Sequence, residues 1–231
     1  ETGRELSRVE GKYMTWSVAI SPDGRFGLLG NADGTAMLWE LESGRENHVL
    51  KHHTIDRTAE VIHVAFLPNG RHALTTDGSR SILWEVSTGR QVRVIDEGGP
   101  IAFSPDGRFV LLGPSLLATD TWAGVRTFDS NADYVWSVAM SPDGSYALTS
   151  GALDGSVELW HVDTGSRLSV LDGNANPIES MVISEDSEYA MVASGVSTIN
   201  YWDLETMRIS NSITFPGSGS VTSIALSPDG R

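Results

Sequence analysis

A five-residue phrase recurs along the chain: Ser21-Pro22-Asp23-Gly24-Arg25, Leu67-Pro68-Asn69-Gly70-Arg71, Ser104-Pro105-Asp106-Gly107-Arg108, Ser141-Pro142-Asp143-Gly144, a degraded Ser184-Glu185-Asp186-Ser187, and Ser227-Pro228-Asp229-Gly230-Arg231. The copies start at residues 21, 67, 104, 141, 184 and 227. The mean period of about 41 is that of a four-stranded propeller blade and is longer than that of the common helical repeats. Each copy has the chemistry of a hairpin turn. Pro presets φ at the first corner, Asp or Asn bonds to nearby backbone, and Gly accepts a positive φ.

A second marker runs at the same period. Of the seven Trp, five (Trp39, Trp84, Trp122, Trp160 and Trp202) fall 14 to 16 residues after the fourth residue of a copy. Four have apolar neighbours, as in Leu38-Trp39-Glu40-Leu41 and Tyr201-Trp202-Asp203-Leu204. This is the pattern of a short strand. Each turn is preceded by an apolar run such as Trp136-Ser137-Val138-Ala139-Met140 and followed by a second strand such as Phe26-Gly27-Leu28-Leu29. An Asp33-Gly34 or Asp154-Gly155 turn then leads to the Trp strand, and Ser43-Gly44, Thr88-Gly89 or Thr164-Gly165 opens a more polar fourth strand.

These motifs cover the whole chain, which resembles the WD-repeat (β-transducin-like) family of β-propellers. The resemblance implies an all-β propeller of four-stranded antiparallel blades, five complete and one split and partial, in a single domain over residues 1–231. The blades are expected at 13–54, 55–97, 98–131, 132–174 and 175–217. Residues 1–12 supply an outer strand, and residues 218–231 an inner strand, of the split blade. By the same resemblance the inner strand lines a channel, the Trp strand is third, and Trp39, Trp84, Trp122, Trp160 and Trp202 are structural.

In the family, a His before the inner strand bonds to an Asp in the turn between the second and third strands. Asp33, Asp77 and Asp154 keep that Asp, whereas Leu116 and Val196 stand in its place in the other two blades. Only His52 or His53 is placed to be the His. Trp122 is followed by Ala123-Gly124, so a short or irregular fourth strand is expected there. The first and last repeats are incomplete, which reads as a near-complete six-repeat turn or a window from a longer array, with neighbouring domains or copies completing the ring.

A net charge of −14 with only 16 basic residues provides no footprint for a phosphate backbone or an anionic membrane, so neither nucleic acid nor membrane is expected as a partner. With no Cys there is no disulfide framework and no thiolate nucleophile. The start of the sequence lacks a signal-like pattern, and a cytoplasmic location is expected. Basic residues are 14 Arg against Lys12 and Lys51, a skew that suggests a bacterial source. Five of the six His lie between His48 and His72. They are spread over different strands, so no metal site is expected, and nothing calls for a cofactor. The repeated Asp come one per blade, too far apart for paired acid/base work, and no nucleophile elbow or phosphate loop is present.

Trp16 and Trp136 remain after the structural five. They share one repeat position, where the other copies carry Ile62, Gly99, Glu179 and Thr222. With Tyr13, Arg57 and Tyr134 in adjoining loops, and His53 nearby, they form a set of the aromatic and Arg type enriched at binding hot spots. The alternative role for both Trp is to fill gaps between blades. The sequence thus reads as a non-enzymatic scaffold or sensor module that binds another protein or peptide, as one region of a larger protein. The contrasting readings are an isolated or engineered propeller fragment and a propeller enzyme. The enzyme would need polar catalytic groups converging on the channel, whereas the inner strands offer Ser17, Ala19, Ser137, Ala139, Ser180 and Ser223.

Overall fold

The computed structural model describes residues 8, 13–52, 60–130, 134–151, 155–172, 174, 178–195, 197–217 and 219–226. Its secondary structure is all β: twenty strands in five antiparallel sheets, each of four strands in sequence order, with no helix among the described residues. The chain divides into two compact units, residues 1–99 and 100–231.

The first unit holds two sheets. One is β1 (Thr15–Ile20), β2 (Phe26–Asn31), β3 (Thr35–Glu40) and β4 (Arg45–Lys51); the other is β5 (His63–Phe66), β6 (His72–Thr76), β7 (Ser81–Glu85) and β8 (Arg90–Ile95). Because side chains alternate across a strand, Leu28, Ala36, Leu38 and Leu50 of the first sheet share a face. That face packs on Val64, Phe66, Ala73, Ile82 and Trp84 of the second.

The second unit holds three sheets. They are β9 (Ile101–Phe103), β10 (Phe109–Leu112), β11 (Ser115–Ala118) and β12 (Gly124–Thr127); β13 (Val135–Met140), β14 (Tyr146–Gly151), β15 (Val157–His161) and β16 (Arg167–Val170); and β17 (Ile178–Ile183), β18 (Tyr189–Ser194), β19 (Thr198–Asp203) and β20 (Arg208–Thr214). The middle sheet is buried on both faces. Val138, Ala147 and Trp160 meet Leu111, Leu116 and Phe128, while Ala139, Leu148 and Leu159 meet Met181, Val192 and Trp202. Each fully buried Leu or Trp among these contributes about 1.5–3 kcal/mol.

The recurring phrase forms the turn its composition demands, and its Ser does more than the turn requires. Ser21 Oγ donates to Asp23 Oδ1 at 2.6 Å and accepts from the Phe26 N–H at 2.8 Å, while the Arg25 N–H donates to the same carboxylate at 3.1 Å. Gly24 sits at φ 70°, in the left-handed region that an L side chain rarely adopts. The arrangement repeats at Ser104-Asp106, Ser141-Asp143 and Ser184-Asp186. At Asp23, Asp106 and Asp186 the Ser hydroxyl holds the carboxyl below its usual pKa. In the degraded copy Ser187 takes the Gly position at φ 60°. The Leu67 copy lacks the hydroxyl and of the side-chain bonds keeps that from the Arg71 N–H to Asn69 Oδ1, at 2.8 Å.

Trp122 does not hold the structural place that its spacing predicts. In four sheets the Trp stands opposite a small residue early in the second strand: Trp39 opposite Gly27, Trp84 opposite Ala73, Trp160 opposite Ala147 and Trp202 opposite Ala190. In the third sheet that place belongs to Leu117, opposite Val110. Volume is conserved across the pair, Leu with Val in place of Trp with Gly or Ala. Trp122 lies beyond β11, in the outer turn, at φ 60°. Leu116, expected at the Asp place of the turn between the second and third strands, is instead buried on β11, and that turn is Gly113-Pro114. The fourth strand of this sheet has four residues and a register shift.

Residues 221–226 pair in no ladder. Even so, the Ile224 N–H donates to Ser180 Oγ at 3.3 Å, repeating at the equivalent position the 3.1 Å bond from the Val64 N–H to Ser17 Oγ. The expected outer strand over residues 1–12 and the last turn lie outside the described residues, apart from Arg8.

Candidate functional site

Trp16 and Trp136 are β-bulge residues. The pairing of β1 with β2 shifts between Thr15 and Ser17, and that of β13 with β14 between Val135 and Ser137, so each Trp has no partner across the ladder. The same shift at Ile178/Ser180 makes Glu179 the bulged residue of β17. A bulge turns its side chain away from the pleat, and both indoles stand in solvent at 51% and 47% exposure. This is why the position varies between copies: it carries no packing duty inside the sheet.

In the first unit Tyr13 and Met14 join Trp16 as exposed apolar side chains before the inner strand. In the second, the rings of Tyr134 and Trp136 lie 6.4 Å apart and tilted by 57°, within the range of interacting aromatic pairs. Arg57 and His53 lie outside the described residues.

The residues assigned structural roles divide by what their polar atoms meet. His52 Nδ1 lies 3.5 Å from Asp77 Oδ2, with both side chains 1% exposed. Asp77 also accepts from the Ser79 and Arg80 N–H groups at 3.0 and 2.8 Å. The Trp84 indole N–H donates to Thr75 at 2.9 Å, and that of Trp160 to Thr149 at 2.9 Å. Thr75 and Thr149 occupy one register position, two residues beyond the residue opposite the Trp. Leu29 and Val192 fill that position in the first and fifth sheets. The Trp202 N–H turns instead to Asn174 Oδ1 at 3.3 Å, shared with Asn200, whereas buried Trp39 Nε1 has no partner among the described residues.

Asp33 caps its own turn, accepting from the Thr35 N–H and hydroxyl at 3.1 and 2.6 Å. Asp154 and Val196 lie outside the described residues. Of the His, His63 on β5 is driven down to about 4 by burial and is neutral at pH 7. No cluster of three metal-capable side chains occurs among the described residues.

The family model for the WD domain, G-beta repeat matches residues 4–40 and 122–161. Among curated proteins, the guanine nucleotide-binding protein subunit beta of Arabidopsis thaliana is 30% identical over 185 residues, 69% of this chain and 48% of that protein. The WD repeat-containing protein 26 homolog of the same plant is 28% identical over 150 residues, 58% of this chain and 24% of the relative. The WD repeat-containing protein SL1-17 of Schistosoma mansoni is 26% identical over 165 residues, 66% of this chain and 53% of that protein. The chain spans between about a quarter and about half the length of these relatives. All three are eukaryotic and give no support to the bacterial source suggested by the Arg excess. Five four-stranded antiparallel sheets, a Trp at one register position in four of them, and these likenesses support placing the chain among the WD-repeat proteins.

Proposed function

We propose that this chain is a non-catalytic scaffold module, one region of a larger cytoplasmic protein, that binds another protein or peptide at the bulged ends of its inner strands. The observation that carries the reading is the Tyr134–Trp136 pair. The Trp136 ring is held out by a bulge beside that of Tyr134, at the head of a strand otherwise buried or half-buried, which is the rigid, low-entropy surface from which binding hot spots are built. The scaffold role is also what the WD-repeat likeness favours. The repeat period carries the proposal of a single array over residues 1–231.

The test is a Tyr134→Ala/Trp136→Ala double variant, checked for β structure by circular dichroism and compared with wild type in quantitative pull-down from an extract of the source organism. The expected result is loss of a discrete set of partners. Unchanged recovery by a folded double variant overturns the site.

A further inference from the structure

The end of each sheet opposite the bulges, where the recurring phrase makes its turn, carries a second pattern. The first residue of the second strand is aromatic or His in every sheet: Phe26, His72, Phe109, Tyr146 and Tyr189. In the first three copies an Arg precedes it, as Arg25, Arg71 and Arg108. Arg25 lays its guanidinium over the Phe26 ring at 5.3 Å, and Arg108 over Phe109 at 5.5 Å, within cation–π range. The fold therefore shows directly that this ring position accepts a guanidinium.

In the fourth and fifth sheets the Arg is gone. Ser145 precedes Tyr146, and Glu188 precedes Tyr189. The two Tyr line a groove of about 290 Å³ together with Ser187, Glu188, Asp203, Leu204 and Glu205. At the small end of the usual range of ~300–1,000 Å³ for ligand sites, it has room for a side chain and not for a large cofactor. Its lining has three carboxylates and no Lys or Arg. The Thr206 and Glu205 N–H groups bond to Asp203 at 2.7 and 3.1 Å and hold its carboxyl below the usual range, so it stays charged. Arg208, opposite Asp203 in the ladder, makes no ion pair among the described residues.

We propose that this groove receives an arginine side chain from a partner protein, its guanidinium stacking on Tyr146 and Tyr189 and pairing with Glu188, Asp203 and Glu205. The site replaces an internal cation with an external one: where the first and third sheets supply their own guanidinium, this pair of sheets supplies only the rings and a surplus of negative charge. It stands apart from the Tyr134–Trp136 surface, and either can fail without the other.

The test uses fluorescein-labelled hexa-arginine and hexa-lysine peptides in fluorescence anisotropy titrations against the whole chain. Glu188→Arg recreates the Arg–aromatic dipeptide of the other repeats and fills the groove from within, so hexa-arginine should bind about tenfold more weakly than to wild type. Glu42→Arg, the same charge change in the exposed outer turn of the first sheet, should leave binding within about twofold, because distant exposed charges are screened. Tyr189→Ala should reduce the preference for arginine over lysine, since stacking on the ring favours the planar guanidinium. Equal losses from Glu188→Arg and Glu42→Arg would reduce the effect to bulk charge and overturn the site. Unchanged binding by a folded Glu188→Arg variant overturns it as well, and so does an arginine preference that survives Tyr189→Ala.

Discussion

The first and fourth sheets carry almost the same inner strand, Trp-Ser-Val-Ala followed by Ile20 or Met140 and the Ser-Pro-Asp-Gly turn, yet the same letters meet different surroundings. Val138 is 8% exposed and Val18 is 70%. Trp160 is buried, 5.3 Å from the Phe128 ring, and bonded to Thr149, whereas Trp39 is half-buried with no partner for its N–H among the described residues. The difference comes from neighbours. Within the second unit the third sheet lays Leu111, Leu116 and Phe128 against that face of the fourth, and within the first unit no described sheet does this for the first. The strand period decides which residues share a face, and the adjoining sheet decides whether that face contributes to stability.

Three measurements break or sharpen this comparison. The largest effect belongs to the Trp itself. Trp160→Ala should cost about 3–5 kcal/mol in denaturant unfolding, and Trp39→Ala less than about half of that, because it removes fewer buried contacts. Equal losses would mean that Trp39 is covered as fully as Trp160.

The second measurement is pH dependence. His63 stands where the first and fourth sheets have Ser17 and Ser137, and burial lowers it from 6.5 to about 4. Between those values the unfolded chain binds a proton that the folded chain refuses. Its contribution is therefore full above pH 6.5 and lost as pH falls toward 4, by about 3 kcal/mol. The His63→Gln variant should flatten that slope in urea titrations run across the window. An unaltered slope would show that the histidine is as well hydrated as in the unfolded chain.

The third probe is the indole bond. Thr149→Val leaves the Trp160 N–H buried without its acceptor and should cost about 1–2 kcal/mol. The converse change, Leu29→Thr, offers Trp39 the acceptor that Trp84 and Trp160 already have, and should gain under about 1 kcal/mol after the lost apolar surface is offset. Both are read from shifts in thermal midpoint. A Leu29→Thr variant as destabilised as Thr149→Val would show that apolar cover, not the missing acceptor, governs that face of the first sheet.

Much of this was legible in the chain because turns and strand alternation are local. Ser-Pro-Asp-Gly dictates its own hairpin, and the register from turn to Trp follows by counting. Trp122 shows where counting fails. It falls at the right distance, but the shortened hairpin around Gly113-Pro114 moves it past the strand, and the available signal was Val110 in a place otherwise held by Gly or Ala. The bulge at Trp16 and Trp136 left only a trace, the variability of one repeat position. The choice between His52 and His53 left none, since adjacent residues differ only in the direction they face.

The sequence by itself determined the period, the all-β class, the five sheets and the turn chemistry, because each depends on residues close together in the chain. Tertiary structure alone decided that His52 reaches Asp77, that Tyr134 and Trp136 stand out together, and that Tyr146 and Tyr189 share an acidic groove. Each of those depends on which sheet lies beside which, and that is a property of packing between repeats and not of any one of them.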